Sequence, residues 1–249
     1  MSDAELVLPS AGPDSIPFDT ALAAVLGYAR GRRPLHFRSP GNPTGRWVTV
    51  PAFGYERFDR QPVPAGPLGE VDILTAEGLH GRLDPDGWAA MKGVLDDVGP
   101  LADAAIERAA GRPLWELPSD EFSVLAEPGT VGAHLRRIWQ HCEVTPDVQP
   151  AHVTAALHHR RPDVFPLLDR TTRWHLLPHV HEGDSGVEAV IHRELRDNAA
   201  AFARLERELR DRDIPLTRLR LHDVLLWLSA GLRLTHAVTL GQDDVPRPD

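Results

Sequence analysis

An apolar repeat of helical spacing constrains the fold of this chain more than any other feature, because it recurs almost without interruption from Asp72 onward. In "LDPDGWAAMKGVLDDVG", Asp84 can cap a helix that begins at Pro85, and the apolar side chains follow on one face. The same spacing predicts helices over 129–142 and 150–159. We therefore predict a mainly α protein. Its other helices are expected in "PLADAAIERAAGR", "SDEFSVLAE", "VEAVIHRELRDNAAAFARLERELRDR" and "LTRLRLHDVLLWLSAGLRL".

The positions of the apolar side chains on these helices indicate how they pack. Three stripes are expected to converge in one core: Trp88/Met91/Leu95, Leu135/Ile138/Trp139 and Leu225/Leu228. The helix after His222 is apolar nearly all round, which is typical of a buried helix. The Arg and Glu positions of the long stretch that begins at Val187 are expected to form a solvated face.

The N-terminal part of the chain differs from the rest. "FDTALAAVLGYARG" predicts a helix that Asp19 caps and Gly31 ends, and "RPLHFRSPGNPTGRWVTVPAFG" predicts a small β hairpin. "YERFDRQPVPAGPLGE" is typical of a surface connection. These patterns divide the chain into four parts. They are a mobile segment over 1–16, a helix and short β element over 17–67, a compact helical domain over 68–240 and a tail over 241–249.

Composition narrows the class of protein. The 249 residues are 42% hydrophobic and carry one cysteine, Cys142, so a sizeable core is possible and an internal disulfide is not. No apolar run of membrane-spanning length and no secretory signal is recognised, and we expect a cytoplasmic protein that uses no cofactor. The net charge of −9 argues against a protein whose whole surface binds nucleic acid. Residues 131–180, by contrast, hold six arginines against four acidic residues, a net charge of +2, and seven histidines.

The stretch "HHRRPDVFPLLDR", from His158 to Arg170, is the best candidate for chemistry. Asp169 lies where the next helix begins, and a helix N-terminus carries partial positive charge and free N–H groups. A phosphate or another anion can therefore be held beside this carboxylate. Asp169 alternatively caps the helix "RTTRWHLL", which spacing alone favours. The candidate anion-binding residues are Arg160, Arg161, Arg170 and Arg173.

This region also carries a family resemblance. "VQPAHVTAALHHRRPDVFPLLDRTTRW" resembles the segment of the helix-hairpin-helix DNA glycosylase superfamily in which a hairpin and a "TA"-containing helix lead to a catalytic aspartate. Thr154 and Ala155 match the "TA" pair, and Asp169 matches the aspartate. Together with "EVDILTAEGLHGRLDP" and "LTRLRLHDVLLWL", the stretch more closely resembles an uncharacterised family of actinobacterial domains. Members pair a "KRP…P…D" segment with a late "LR…D…W" helix, and the resemblance covers roughly 68–230 with gaps.

The glycosylase resemblance implies a helix-hairpin-helix-like centre and a role for Asp169 in breaking an N-glycosidic bond. The sequence departs from the superfamily pattern at two places, and these departures weaken the expectation of DNA binding and of a lyase mechanism. The matching hairpin "PDVQPAH" has no glycine, whereas the superfamily uses glycines to approach DNA phosphates. His152 and Val153 precede the "TA" pair where the lyase branch has a lysine, and Lys92 is remote in sequence, so a Schiff-base mechanism is not expected.

Other polar and aromatic residues are weaker candidates. Trp139, His158, Trp174 and Asp223 are possible pocket residues, although aromatic residues at helical spacing are more often core. In "HLLPHVHE", the histidines at 175, 179 and 181 and Glu182 include an i, i+4 pair that can bind zinc. Pro178 interrupts the turn, however, so we expect loop histidines and no metal. The sequence contains neither a glycine-rich phosphate loop in the required context nor a serine nucleophile elbow.

The sequence thus leaves three functions open. The first is a monofunctional N-glycosylase-like hydrolase that acts on a nucleobase-containing substrate, such as nucleic acid, a nucleoside or a nucleotide, with Asp169 as the key carboxylate. The second is a non-catalytic module that binds nucleic acid or a protein through the arginine-rich 158–173 segment. The third is a structural or protein-interaction role without a site, for which the sequence names no protein partner.

Overall fold

A computed structural model of the chain describes residues 5–37, 46–125 and 128–242, without the side chains of 33–50. The described residues form ten α-helices and four short β-strands, which confirms the prediction of a mainly α protein. In chain order they are β1 (Glu5–Leu6), β2 (Ile16–Pro17), α1 (Phe18–Arg30), β3 (Arg32–Phe37), β4 (Arg46–Pro51), α2 (Glu70–His80), α3 (Pro85–Ala109), α4 (Val131–Val144), α5 (Pro150–Arg160), α6 (Arg170–Leu176), α7 (Val187–Asp197), α8 (Ala199–Arg210), α9 (Arg218–Ala230) and α10 (Leu234–Gln242).

The strands form two antiparallel pairs. β3 and β4 make the predicted hairpin, with Arg32 opposite Pro51 and Phe37 opposite Arg46, while its turn over 38–45 lies outside the described residues. β1 pairs with β2, a contact that the sequence does not predict. The following helix, α1, ends at Gly31 as predicted, but Asp19 does not cap it. Pro17 occupies the N-cap position and Asp19 lies in the first turn.

The predicted mobile segment is packed against the helical domain over residues 5–16. Leu6 and Leu8 are buried, and the side chain of Asn198 bonds the backbone of Val7 in both directions. Asn198 accepts from the Val7 N–H at 2.7 Å and donates to the Val7 carbonyl at 2.8 Å.

Asn198 is also where the long predicted helix breaks into α7 and α8, so the prediction of one continuous helix over 187–212 is wrong.

The expected solvated face on that stretch is also wrong at two positions. Glu188 and Glu194 are buried. Glu194 accepts hydrogen bonds from the Ser10 N–H at 2.9 Å and from the Ser10 hydroxyl at 2.7 Å, and it lies 2.7 Å from the ring of His222. A buried carboxylate needs such donors, and here they tie the N-terminal segment to α7 and α9.

Two other helical predictions require correction. The stretches that begin at Pro85 and Pro100 form one helix, α3, with Pro100 inside it. A proline removes the hydrogen bond to the carbonyl four residues earlier, and here both Pro100 and Asp96 are exposed, so that carbonyl is free to bond water. "SDEFSVLAE" forms only a 3-10 turn over Ser119–Phe122 within its described part.

The core contains all three predicted apolar stripes, with Trp88 at its edge. α9 is buried nearly all round, as predicted, and contacts α1, α6, α7, α8 and α10. In the described part of the chain, no single helix has the length and apolar character of a membrane span. α9 and α10 pass such a test only as a pair, and they meet at a bend of 116°.

The contact between α1 and α10 depends on two glycines. A Cβ at Gly27 would lie 1.8 Å from the Ala237 carbonyl oxygen, and one at Gly241 would lie 1.8 Å from the Ala23 carbonyl oxygen. Both distances are far inside van der Waals contact, so the two backbones touch directly at these positions.

The Gly27→Ala variant is therefore expected to lose about 1 to 3 kcal/mol of unfolding free energy, because the added methyl group forces α1 and α10 apart. Gly93→Ala in α3 is the control. A Cβ there meets nothing within 4 Å, so alanine is expected to stabilise by roughly 0.5 to 1 kcal/mol. Urea denaturation of both variants measures the difference. A Gly27→Ala variant as stable as the wild type would contradict the close approach of the two helices.

Candidate functional site

A cavity of about 150 Å³ lies where α1, α2 and α9 meet two segments that lie outside the α-helices, around residues 52–57 and 167–169. Its lining combines aromatic rings, two carboxylates, one histidine and three arginines. The lining residues with aromatic, acidic or basic side chains are Tyr28, Phe53, Arg57, His80, Asp169, Arg220, Asp223, Trp227 and Arg233.

Asp169 both caps a helix and lines this cavity. Its Oδ1 atom accepts hydrogen bonds from the Thr172 N–H at 2.7 Å and the Thr172 hydroxyl at 3.1 Å. Thr172 in turn accepts from the Asp169 N–H at 3.0 Å, which completes a capping box at the start of α6. Oδ2 makes no hydrogen bond to any described residue. The cap therefore fixes the orientation of the carboxylate and leaves one oxygen available to a ligand.

The floor of the cavity is a buried network centred on Arg220. Its guanidinium donates to Asp59 from Nε at 2.6 Å and from Nη2 at 3.2 Å, and Nη1 donates to Asp223. Nη2 also donates to the Tyr28 hydroxyl at 2.6 Å, which itself donates to Asp59 at 2.6 Å. Burial opposes the charge of Arg220, but the two carboxylates hold its pKa above the ordinary value. One cation thus serves two buried carboxylates.

Asp223 is the carboxyl that this arrangement leaves easiest to protonate. Burial raises the pKa of Asp223 to about 7, although Arg220 opposes the shift and the charge of Asp169 adds to it. The geometry gives the same direction, because Asp59 takes two of the guanidinium hydrogen bonds and Asp223 takes one. Near neutral pH the cavity therefore presents one capped carboxylate, Asp169, and one carboxyl that can carry a proton.

The prediction that the segment around Asp59 is a surface connection requires correction, because Asp59 belongs to the buried network. The "YERFDR" part of the expected surface connection is partly buried: Tyr55 and Phe58 lie in the core and the Asp59 side chain is 4% exposed, whereas Arg57 and Arg60 are exposed. The two aromatic residues at spacing i, i+3 are a sequence signal for burial. No local pattern indicates that Asp59 pairs with Arg220, which lies 161 positions later.

His80 lines the same cavity, and one of its ring nitrogens, Nε2, has no hydrogen-bond partner among the described residues. Its Nε2 atom is buried, and its ring lies 5.4 Å from that of His152. Burial lowers the pKa of His80 to about 3, and the nearby His152 and Arg220 act in the same direction. The imidazole is therefore neutral at physiological pH, and it can accept or donate one hydrogen bond to a ligand.

The four predicted anion-binding arginines have different surroundings. Arg160 donates to Asp72 at 2.7 Å and to the carbonyls of Pro64, Gly66 and Pro67, so its donors are used within the protein. The hydrogen bond to Asp72 raises the pKa of Arg160. The Arg173 guanidinium lies over the Trp139 ring, 4.9 Å from its centre. The two remaining arginines, at 161 and 170, are exposed, and none of the four lines the cavity.

Of the four possible pocket residues, only Asp223 lies with Asp169 in this cavity. His158 is in the core, where its Nδ1 lies 2.7 Å from the Phe165 carbonyl, and burial lowers its pKa to about 4. Trp139 lines a separate small cavity beside Glu188. Trp174 is 73% exposed.

The weak zinc candidates do not form a metal cluster in the described residues. His179 and His181 lie beside a groove formed with the N-terminal segment and α7, and His175 is outside that groove. The His179 carbonyl accepts from Arg193 at 2.9 Å, and the His181 N–H donates to Asp184 at 2.8 Å. Both contacts stabilise the turn that leads into α7.

Comparison with known proteins identifies a family to which the chain is similar. The model of a family of unknown function, DUF6308, matches residues 42–230, which is more than half of the chain. The chain belongs to this family. The match confirms the resemblance to an uncharacterised domain family. No curated protein and no solved structure matches the chain.

The DUF6308 region contains most of the site described above. Asp59, Asp169, Arg220 and Asp223 all fall within it, as does His80. Two lining residues, Tyr28 and Arg233, lie outside the matched range, one on each side. The cavity is thus built mainly by the part of the chain that defines the family.

Proposed function

We propose that this DUF6308 protein hydrolyses the N-glycosidic bond of a nucleobase-containing substrate, with Asp169 as the key carboxylate. The observation that carries the proposal is the pair of acidic side chains in one cavity: Asp169, whose Oδ2 atom makes no hydrogen bond to the described residues, and Asp223, whose pKa burial raises to about 7, so that it can carry a proton near neutral pH. Enzymes that cleave glycosidic bonds commonly use two carboxyl groups, one protonated and one ionised.

Each carboxyl group has a distinct task in such a reaction. The bond between the anomeric carbon and the base nitrogen breaks, and its electron pair stays on the base. Asp223 donates a proton to the departing base, while Asp169 stabilises the positive charge on the sugar and accepts a proton from the attacking water. The products are the free base and the sugar with a hydroxyl at the anomeric carbon. Exchange with solvent returns the proton from Asp169 and restores that of Asp223.

The walls of the cavity suit a flat heterocycle. Phe53 and Trp227 meet edge to face with ring centres 5.8 Å apart, and Tyr28 stacks on Phe53 at 5.9 Å. Aromatic side chains bind nucleobases by stacking with little regard to base identity. The neutral imidazole of His80 adds one hydrogen-bonding atom beside these rings.

The helix-hairpin-helix-like centre is part of this proposal. α4 and α5 are joined by the short segment 145–149, and α5 carries the "TA" pair. The Thr154 hydroxyl donates to the Leu168 carbonyl at 2.8 Å and accepts from the Leu168 N–H at 3.2 Å. The helix with the "TA" pair thus holds the residue immediately before Asp169, as expected if the pair positions a catalytic aspartate.

The alternative of a non-catalytic module that binds through 158–173 has less support. Arg160 uses its donors within the protein, and His158 and His159 are buried. The net charge of −9 also disfavours contact with a long polyanion.

The proposal predicts a pH profile with a defined direction. Because Asp223 must be protonated to act as the acid, and its pKa is raised to about 7, kcat/KM is expected to fall about tenfold per pH unit above this value. We would screen release of free base from nucleosides, nucleotides and DNA oligonucleotides by chromatography and then record the profile from pH 5 to 9. The Asp223→Asn variant should be slower and lack this limb. No base release from any of these substrates would reject the proposed function.

A further inference from the structure

We infer that the substrate carries a phosphate monoester, which Arg57 and Arg233 bind at the mouth of the cavity. The inference rests on the proposed function for the identity of the base-bearing part, and it adds the class of substrate: a nucleoside monophosphate. It places the anion site away from the 160–173 segment, where the sequence alone suggests it.

The two arginines are the lining cations that pair with no acidic group among the described residues. Neither Arg57 nor Arg233 makes an ion pair or a side-chain hydrogen bond with the described part of the chain, and both are exposed. The third lining arginine, Arg220, is engaged by Asp59 and Asp223. An arginine without a carboxylate beside a pocket is available to an anionic ligand.

The charge of the lining points in the same direction. Three arginines line the cavity against two aspartates, and burial raises the pKa of one of these, Asp223, to about 7, so that it is partly protonated near neutral pH. Arg220 is already matched by its own carboxylates, so the excess positive charge lies with Arg57 and Arg233. This local excess of positive charge contrasts with the net charge of −9 of the whole chain.

The arrangement of interior and mouth fits one molecule. Asp223 and Arg220 are 6% and 3% exposed and form the floor, whereas the two free arginines are exposed. The Arg233 guanidinium lies over the Trp227 ring, 4.6 Å from its centre, so the cation is held next to the aromatic wall. A base against Phe53 and Trp227, with its glycosidic bond between the aspartates, leaves the 5′ end of the sugar to reach the arginines.

Equilibrium titration of the wild-type protein tests the inference with ribonucleoside 5′-monophosphates, the matching nucleosides, ribose 5-phosphate and inorganic phosphate. We expect a monophosphate to bind at least about tenfold more tightly than its nucleoside, as is typical for charge-assisted hydrogen bonds. The double variant Arg57→Gln/Arg233→Gln should abolish this preference. Arg170→Gln removes an exposed arginine that does not line the cavity, and it should retain the preference.

The inference would be overturned by equal affinity for monophosphate and nucleoside, by no binding of either, or by an unchanged preference in the double variant. Tight binding of inorganic phosphate alone would also contradict it, because the base would then add nothing. Chromatography of the ligand after titration separates this inference from the proposed function. A monophosphate that binds through the two arginines but is recovered intact supports the phosphate site and rejects the hydrolysis.

Discussion

The Arg220→Ala variant is expected to lose about 3 to 5 kcal/mol of unfolding free energy, which is the cost of leaving buried carboxylates without their cation. Arg220 is the shared hydrogen-bond donor for Asp59 and Asp223, and the side chains of all three are less than 10% exposed. Since typical domains are stable by only about 5 to 15 kcal/mol, a large part of the total would be lost. Urea denaturation monitored by circular dichroism measures the change.

Two further variants identify the cause. Arg210→Ala removes an arginine that is 61% exposed and pairs with Glu206 on α8, so it is expected to cost less than about 1 kcal/mol. The triple variant Asp59→Asn/Arg220→Met/Asp223→Asn removes all three charges and should recover part of the loss. A triple variant as unstable as Arg220→Ala would show that packing, and not unpaired charge, explains the effect.

Local apolar spacing predicts most of the helices, because such spacing reports which face of a helix is buried. It fails where a distant contact decides. The break between α7 and α8 occurs at Asn198, whose side chain bonds the backbone of Val7, 191 positions away. Nothing near Asn198 in the sequence indicates that contact. α3 continues through Pro100, where both Pro100 and Asp96 lie on the exposed surface of the helix, and that exposure is a property of the fold.

The site, like the fold, has residues that local sequence predicts and residues that only distant contacts bring into place. Asp169 is recognisable from its position before a helix and after the "TA" pair. The alternatives of cap and cavity residue turn out to be compatible, because the cap uses Oδ1 while Oδ2 makes no hydrogen bond to the described residues. Asp59 and Arg57 lie in a segment whose prolines and glycines indicate a surface connection. Only the fold brings that segment to α9. The cluster of arginines around 160 attracts attention in the sequence, yet its most engaged member binds Asp72 within the protein.

The Asp169→Asn variant is expected to lower kcat of base release by about 10²- to 10⁴-fold while leaving stability almost unchanged. Asparagine caps helices nearly as well as aspartate, so the hydrogen bond to the Thr172 N–H is retained and the free energy of unfolding should move by less than about 0.5 kcal/mol. The amide carries no negative charge for the sugar cation and accepts no proton from water.

Asp84→Asn provides a matched control. Asp84 caps α3 by accepting from the Gly87 N–H at 2.7 Å, the same distance as the cap at Asp169, and it does not line the cavity. The same chemical change at this second cap should therefore affect neither turnover nor stability. Comparison of the two variants separates the loss of a charged cap from the loss of a catalytic carboxylate.

The catalytic role of Asp169 is tested by single-turnover release of free base. The wild type and the Asp169→Asn variant are compared at equal folded fraction. We expect rapid release by the wild type and a rate at least about 100-fold lower in the variant, with ligand affinity retained. Equal rates in the two proteins would contradict the assignment of Asp169 as the group that drives cleavage of the glycosidic bond.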